Sequence, residues 1–449
     1  MWFIGAGIYF FAVFHRSSLG VAGNDALVQL DISSTQLGTF VMAQVGIYAL
    51  MQVPSGLMID RWGPRKILLA ATLLMGLAQL LFALATNFSV AFVARALLGA
   101  GDSAVFIAVL RLAAGWFPRR RYAMLTMFTA LLGMVGNLIA TVPLVAMLDG
   151  LGWKYTFAIT GGTSLVYGLL LLRPAVAAPY RELPPTRTTE ILSSDRPEGE
   201  RSPSAIREAA YNMRAAWGMP ETRLGFWTHQ TTLATGTVIS LVWGYPYLTQ
   251  GLGYTNQGAA SMLSLYVVAN LVTNFAIGPY AGRRPTARLP IAFYVAFACL
   301  AGLFTLALWP GGHPPRIVVA LVFSIFASGL PASQIGFHLA RDYNPTVRVS
   351  TATGLVNVGG FSGAMVGSIV VGIVLDWQSG AATPSVDDYR WAFGTIAVIS
   401  AVSNIAMSFS MLKVRSLVLD RMRNGVEVIV PVRDRAWDRM YRAIRPSRR

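Results

Sequence analysis

Four ionisable side chains lie where the sequence is otherwise apolar. Arg95 and Asp102 belong to RALLGAGD within an apolar run from Phe88 to Trp116, and His15 and Arg16 belong to YFFAVFHRSSLG near the start of the chain. About 20 apolar residues are enough to cross a bilayer. A charged side chain at that depth costs about 2.5–3.5 kcal/mol on insertion scales, and is kept where it faces a cavity, a partner or a substrate. These four residues are therefore the candidate working site.

The chemistry available to them is anion binding and proton transfer. Guanidinium groups bind carboxylates and phosphates through paired hydrogen bonds, and desolvation favours the protonated form of a carboxylate. In a first helix that enters from the cytoplasm, Arg16 lies about 20 Å along the axis, past the midplane. The fourth helix runs the other way, which places Arg95 in the outer half and Asp102 near the centre. We expect both arginines to meet one anion, with Asp102 carrying a proton.

Each of these residues also has a structural interpretation. Arg95 and Asp102 are seven residues apart on one helix face and could form a buried ion pair that fixes helix packing. Arg16 could extend to the outer headgroups. His15 points about 100° away from Arg16 around the helix, and the sequence leaves open whether it titrates near neutral pH or only packs.

Further polar residues within apolar runs are candidates for the wall of the same cavity. Gln44 and Tyr48 are four residues apart and share a helix face. Asn137 and Asn357 lie in later runs. Amide and phenol groups suit the hydroxyls of a polar substrate, although hydrogen bonds between helices are the alternative for each of them.

The elements that must position these residues are membrane-spanning helices. The chain is 54% hydrophobic and only 12% charged, whereas soluble domains carry about 25% charged residues. Twelve apolar runs of spanning length are predicted, at residues 2–23, 35–58, 66–86, 89–113, 122–148, 154–173, 224–248, 257–281, 288–309, 316–339, 350–375 and 391–412.

The net charge of +16 does not indicate nucleic-acid binding, because most of the Lys and Arg residues fall on one side of the predicted membrane. This asymmetry is the positive-inside rule. It places both termini in the cytoplasm of a multi-pass protein of the cell membrane, with membrane lipids as neighbours.

The chain divides into two halves of six spans. Residues 1–173 form the first bundle, 174–223 a cytoplasmic linker, 224–412 the second bundle and 413–449 a basic cytoplasmic tail. The linker is rich in Pro, Ser and charge, and its stretch 205–216 predicts a short interfacial helix. In the tail, RDRAWDRMYRAIR fits either a second surface helix or a solvated segment.

One loop resembles a family signature. The sequence GLMIDRWGPRK, Gly56 to Lys66, joins the second and third spans, and GPYAGRRPTAR after the eighth span is a weaker copy. This pattern resembles the signature loop of the major facilitator superfamily. The resemblance implies an all-α membrane fold of twelve helices in two pseudo-symmetric halves. It also implies a gating role for the loop, although its basic residues could serve topology alone; the residues concerned are Gly56, Asp60, Arg61, Gly63 and Arg65.

Within that superfamily the site residues resemble the anion:cation symporter branch. RxxxGxxD in the fourth span is similar to that branch's RxxxGxxE, and Arg16 matches its first-span arginine. The resemblance implies that Arg16 and Arg95 bind an organic anion such as a sugar acid, and that Asp102 couples its transport to protons. His15 stands where the branch has an acid, which affects the predicted coupling. The seventh span also lacks the arginine of the organophosphate exchangers, so a carboxylate is favoured over a phosphate.

The sequence therefore predicts a proton-coupled carrier that works by alternating access, most simply as a monomer. Protons are the coupling ion, and we expect no cofactor and no metal. The alternative is a drug-efflux antiporter of the same fold, but the fifth span, LLGMVGNLIATVPL, lacks the GxxxGPxxGG motif that efflux members carry. A membrane sensor would need a signalling domain, for which the tail is short. An enzyme is disfavoured, because no nucleophile–base pair or phosphate loop is present.

Overall fold

The computed structural model describes residues 2–117, 119–173, 213–343, 349–380, 382–426, 428 and 432–444. All regular structure in these ranges is helical, which confirms the predicted all-α class. The α-helices of the first part are α1 (Trp2–Ser17), α2 (Leu19–Leu30), α3 (Ser34–Trp62), α4 (Pro64–Ala83), α5 (Phe88–Trp116), α6 (Arg119–Ile139) and α7 (Val142–Gly168). Those of the second part are α8 (Pro220–Val238), α9 (Asn256–Arg283), α10 (Arg288–Leu308), α11 (Arg316–Tyr343), α12 (Val349–Ser379), α13 (Val386–Arg423) and α14 (Ala436–Ile444).

By length and composition, eight helices in the described ranges could cross a membrane. They are Pro64–Ala83, Phe88–Leu112, Val142–Leu172, Asn256–Arg283, Pro285–Leu308, Arg316–Ala340, Gly354–Ser379 and Val386–Arg423. These overlap the third, fourth, sixth and eighth to twelfth predicted spans. The count of twelve stays a prediction.

Three of the predicted spans contain local irregularities. The first predicted span is divided at Ser18 between α1 and α2, and the Ser18 hydroxyl donates to the carbonyl of His15 (2.9 Å). α3 contains Pro54, which cannot donate a backbone hydrogen bond. After α8 the chain continues through π-helical turns at Ile239–Trp243 and Tyr247–Gly251. Turns of this kind are frequent at functional sites.

α5, which carries both Arg95 and Asp102, packs against α1, α3 and α4. Two glycines between the charged residues allow this close approach. A methyl group at Gly99 would overlap the carbonyl oxygen of Gln44 on α3, and one at Gly101 would lie 2.9 Å from the carbonyl oxygen of Ala71 on α4. These glycines therefore allow α5 to pack closely against α3 and α4.

Helices of the first part meet those of the second at one end of the molecule. We call the end where α1 begins and α13 ends the terminal face, and the end where α2 meets α3 the distal face. At the distal face, Asp376 on α12 accepts hydrogen bonds from the backbone N–H groups of Ser34 (2.8 Å) and Thr35 (2.9 Å). The first N–H groups of a helix lack intrahelical partners, and the helix dipole favours a carboxylate there. Asp376 therefore caps α3 across the two parts.

Other polar contacts join the two parts near the distal face. They are Asn24 Nδ2 to Thr249 Oγ1 (2.6 Å), Gln250 Nε2 to Asn24 Oδ1 (2.9 Å), the hydroxyls of Thr141 and Ser264 (2.7 Å), and Asn256 Nδ2 to Asp149 Oδ1 (3.2 Å). Nearer the middle, the ring of Tyr48 on α3 lies 5.6 Å from that of Phe361 on α12. These contacts hold the helices together on the distal side.

The predicted linker lies mostly outside the described residues. Of its predicted interfacial helix, positions 205–212 are not described, and residues 213–218 are helical. α13 extends to Arg423, beyond the predicted start of the tail at 413. The tail then forms α14, whose buried Asp438 accepts two hydrogen bonds from Arg415 of α13 (2.8 Å each). Of the two alternatives for the tail, the structure has the helix.

Candidate functional site

Arg16 and Asp102 form a paired ion contact between α1 and α5. Arg16 Nε donates to Asp102 Oδ2 (2.6 Å), and Arg16 Nη2 donates to Asp102 Oδ1 (2.7 Å). The Asp102 side chain is 1% exposed and that of Arg16 is 26% exposed. The guanidinium also lies over the ring of Tyr48, 4.9 Å from its centroid. Arg16 is therefore the accessible member of the pair, and Asp102 is shielded behind it.

Arg95 takes a different position. Its side chain is buried and donates through Nη2 to the amide oxygen of Gln44 and, at 3.5 Å, to the backbone carbonyl of Arg16. The ring of Phe82 lies 5.0 Å from its guanidinium carbon. The remaining donors, Nε and Nη1, have no hydrogen-bond partner among the described residues. Arg95 is thus a buried cation with spare donors, next to the α1–α2 junction.

The partner of Asp102 differs from the structural alternative considered above. That alternative paired Asp102 with Arg95, whereas the structure pairs it with Arg16. Arg95 and Asp102 are seven residues apart, which is about 10.5 Å along the helix axis. At that distance the two side chains do not meet while Arg95 contacts Gln44 and Asp102 contacts Arg16. The three charged groups, in their usual charge states, leave one net positive charge at this place.

His15 is fully buried and lies beside two phenylalanine rings. Its ring lies 6.2 Å from that of Phe11 and 5.5 Å from that of Phe14, measured between centroids. Both ring nitrogens lack a hydrogen-bond partner among the described residues. The surroundings are aromatic, and a proton-coupling role for His15 stays a prediction.

The predicted wall residues fall into two groups. Gln44 is buried and positions Arg95, while Tyr48 is half-buried beneath Arg16. Asn137 on α6 and Asn357 on α12 are half-buried, and the described contacts of the arginine cluster do not include them. Gln44 and Tyr48 thus join the cluster that the charged residues form, and direct substrate contact remains a prediction for all four.

Two aromatic residues at the site were not singled out from the sequence. Phe82 lies beneath Arg95 and Phe361 contacts Tyr48. Both reach the site through contacts between helices. Phenylalanine is common throughout the apolar runs, with 23 in the chain, so residue type alone could not have selected these two.

The signature loop between α3 and α4 forms a tight turn. Gly63 has φ +83°, which glycine adopts without strain, and Pro64 begins α4 directly after it. Arg65 Nε donates to the carbonyl of Leu171 (2.8 Å). A methyl group added at Gly56 would meet no atom within 4 Å. The side chains of Asp60 and Arg61 lie outside the described residues, so the gating role stays a prediction.

Comparison with known proteins supplies the family. The sequence model of the Major Facilitator Superfamily matches residues 5–339. This chain belongs to the major facilitator superfamily. The facilitator is 24% identical over 378 residues to a probable sulfoacetate transporter of Cupriavidus necator, covering 82% of this chain and 85% of that protein. It is 23% identical over 372 residues to a D-galactonate transporter of Escherichia coli O6:H1, covering 80% and 84%.

A solved structure shows the same fold. A bacterial homologue of the human lysosomal transporter Spinster, in an inward-facing and unoccupied conformation, superposes with a TM-score of 0.68 at 13% identity, covering 91% of this chain and 96% of that one. Membership of the superfamily, together with the transporter relatives, makes the facilitator a multi-pass membrane transporter of a small molecule. The relatives named here are transporters, in agreement with the prediction that the chain is not an enzyme.

Proposed function

We propose that this facilitator moves a small organic anion across the cytoplasmic membrane with protons as the coupling ion and without a cofactor. The observation that carries the proposal is the cluster of Arg16, Arg95 and Asp102, which has one net positive charge in a membrane interior. An uncompensated charge at that depth is costly, and an anion would relieve the cost. Sulfoacetate and D-galactonate, the compounds in the names of two related transporters, are small organic anions.

The anion would enter through Arg16, the more exposed of the two arginines. The carboxylate of the substrate can accept hydrogen bonds from the same two N–H groups of Arg16 that now bind Asp102. A guanidinium group pairs with any carboxylate in the same geometry. Arg95, whose Nη2 donates to the Arg16 carbonyl, has unused donors at Nε and Nη1 that would supply a second attraction. The half-buried hydroxyl of Tyr48 and the amides of Asn137 and Asn357 would contact the remaining polar groups of the substrate.

Proton coupling follows from competition for Arg16. While Asp102 is ionised, it holds the guanidinium through both oxygens. When the substrate takes the guanidinium, Asp102 becomes a buried carboxylate without its counter-ion, a state that favours protonation. A proton and the anion therefore bind together, and Asp102 recovers Arg16 when both leave.

The contacts between the two parts support alternating access. We propose twelve spans in two halves, a monomer, and both termini in the cytoplasm, so that the distal face is the outer one. Capping of α3 by Asp376 and the neighbouring hydrogen bonds then close the outer side. The signature loop would make the corresponding closure on the inner side in the other state, through Asp60 and the basic residues beside it, with Gly56 and Gly63 permitting the helix ends to move.

The proposal predicts the charge preference of the substrate. In a thermal-shift screen of the purified protein, sugar acids and small dicarboxylates should raise the melting temperature and amphipathic cations should not. In proteoliposomes, an inward proton gradient should then drive uptake of the anion that binds. Stabilisation by cations and not by anions would contradict the proposal and would favour the efflux antiporter.

A further prediction concerns closure at the distal face. Asp376→Ala removes the two hydrogen bonds that join α12 to the start of α3. Loss of a helix cap costs about 1 kcal/mol, so the closed population should fall about fivefold relative to the open one. Spin labels at Leu84→Cys and Leu308→Cys, both exposed near the distal face, report this as a longer interlabel distance. Asp387→Ala, which removes an exposed carboxylate bonded within its own helix, is the control. An unchanged distance distribution in Asp376→Ala would show that the cap does not hold this state.

A further inference from the structure

A cavity of about 940 Å³ lies at the terminal face, away from the arginine cluster. It is bounded by the start of α10, the last turns of α13 and the segment that leads into α14. Its size is near the upper end of the roughly 300–1,000 Å³ that is usual for small-molecule pockets. The substrate site proposed above does not use it.

The floor of this cavity is apolar. Met411, Val418 and Met422 line it from α13, and Leu289 and Phe293 line it from α10. The α13 residues recur at intervals of seven and four, which places them on one face of the helix. This face continues past the predicted end of the twelfth span at 412, so an apolar surface extends beyond the apolar run itself.

The rim of the cavity is basic and reaches the surface. Arg288, Arg415, Arg433 and Arg435 line it, and no Asp or Glu is among the lining residues that the structure describes. Arg415 is engaged by Asp438 and by the backbone carbonyl of Arg433 (2.8 Å), which fixes the tail against α13.

The outermost positions of the rim are the most accessible. Arg433 and Arg435 are exposed, and the guanidinium of Arg435 lies over the ring of Trp437, 4.9 Å from its centroid. Trp437 is itself 47% exposed, and Tyr294 on the opposite wall is 70% exposed. Tryptophan and tyrosine in such places are typical of the level of lipid headgroups.

We propose that this cavity binds an anionic phospholipid. An acyl chain would lie on the floor formed by α10 and α13, and the phosphate would meet Arg433 and Arg435 at the rim. A soluble anion would not use the apolar floor, and a zwitterionic lipid would not use the unbalanced positive charge. The basic rim at a membrane-level helix end is what recognises anionic headgroups. A bound lipid would link the tail helix α14 to the second part of the molecule.

The test uses the full-length protein purified in a neutral detergent. Its melting temperature is measured with added dioleoyl phosphatidylglycerol, with the same amount of dioleoyl phosphatidylcholine, and with inorganic phosphate. Binding to the folded state alone stabilises it, so phosphatidylglycerol should raise the melting temperature by about 3 °C or more, and the other two additions should not.

Two variant pairs locate the effect. Arg433→Ala with Arg435→Ala removes two charges from the rim and should abolish the rise. Arg421→Ala with Arg439→Ala removes two exposed charges that do not line the cavity and should leave it intact. An equal loss in both pairs would mean general surface attraction, and an equal rise with phosphatidylcholine or with phosphate alone would mean another ligand. Any of these results would overturn the proposal.

Discussion

Replacing Asp102 with Asn should abolish uptake driven by an inward proton gradient while leaving binding and exchange of the anion intact. Asn has nearly the same shape and can still accept one hydrogen bond from Arg16, so the contact between α1 and α5 keeps a partner. It cannot take up or release a proton. The variant should therefore equilibrate the anion across the membrane without accumulating it.

The same substitution should change affinity in a direction that a structural role would not produce. In the wild-type protein the anion must displace the Asp102 carboxylate, which makes two short hydrogen bonds to Arg16. Hydrogen bonds to charged groups contribute about 1.5–3 kcal/mol, so loss of this competitor should tighten anion binding about tenfold or more. Binding should also lose its pH dependence, since no carboxylate then has to be protonated.

Two controls separate coupling from folding. Asp102→Glu keeps a titratable group and should retain part of the gradient response. Asp387→Asn removes the charge of an exposed carboxylate that pairs with Arg390 within its own helix, and should leave both coupling and affinity unchanged. Gradient-driven accumulation by Asp102→Asn in proteoliposomes would show that protons are coupled elsewhere, with His15 the next residue to examine.

The cost of charge in an apolar run singled out Arg16, Arg95 and Asp102 from the sequence, and the structure brings the three side chains together. It could not choose the partners. Spacing places Arg95 and Asp102 on one face of one helix, whereas the ion pair depends on how α1 packs against α5, which is a tertiary property. The same holds for Gln44. Its spacing with Tyr48 predicts a place in the cavity wall, whereas the packing of α3 against α5 buries it against Arg95.

The helices show the same division. Long uniform apolar runs, such as those of α5 and α10, predict their helices well because hydrophobicity alone specifies a span. The break at Ser18 and the π-helical turns around Gly244–Pro246 were not predicted. At Ser18 the side-chain hydroxyl donates to the carbonyl of His15 three residues earlier. The π-helical turns accompany a contact between helices, the hydrogen bond from Trp243 Nε1 to the carbonyl of Ser368 (2.8 Å). Periodicity does not record such contacts.

Replacing either arginine of the cluster should weaken anion binding, and the two should differ in what else they change. Arg16→Ala removes the accessible guanidinium group and leaves Asp102 buried without a counter-ion. The affinity for the anion should therefore fall about 100-fold, and the folded protein should become less stable. Arg95→Ala leaves the Arg16–Asp102 pair intact, so it should lose binding while proton-dependent changes at the pair persist.

Lysine variants distinguish charge from geometry at the same positions. Arg16→Lys keeps the charge but cannot reproduce the two parallel hydrogen bonds. The affinity for carboxylates should therefore fall by about tenfold, and the affinity for ligands that accept a single hydrogen bond should fall less. Arg95→Lys tests whether a buried charge alone attracts the anion. Arg284→Ala, which removes an exposed arginine lying over Tyr280, is the control for a change in net charge.

Isothermal titration of each purified variant with the best anion of the screen gives the affinities. Wild-type affinity in both Arg16→Ala and Arg95→Ala would place the substrate elsewhere. A loss confined to Arg16→Ala would instead make Arg95 a residue that supports the α1–α2 junction through the Arg16 carbonyl.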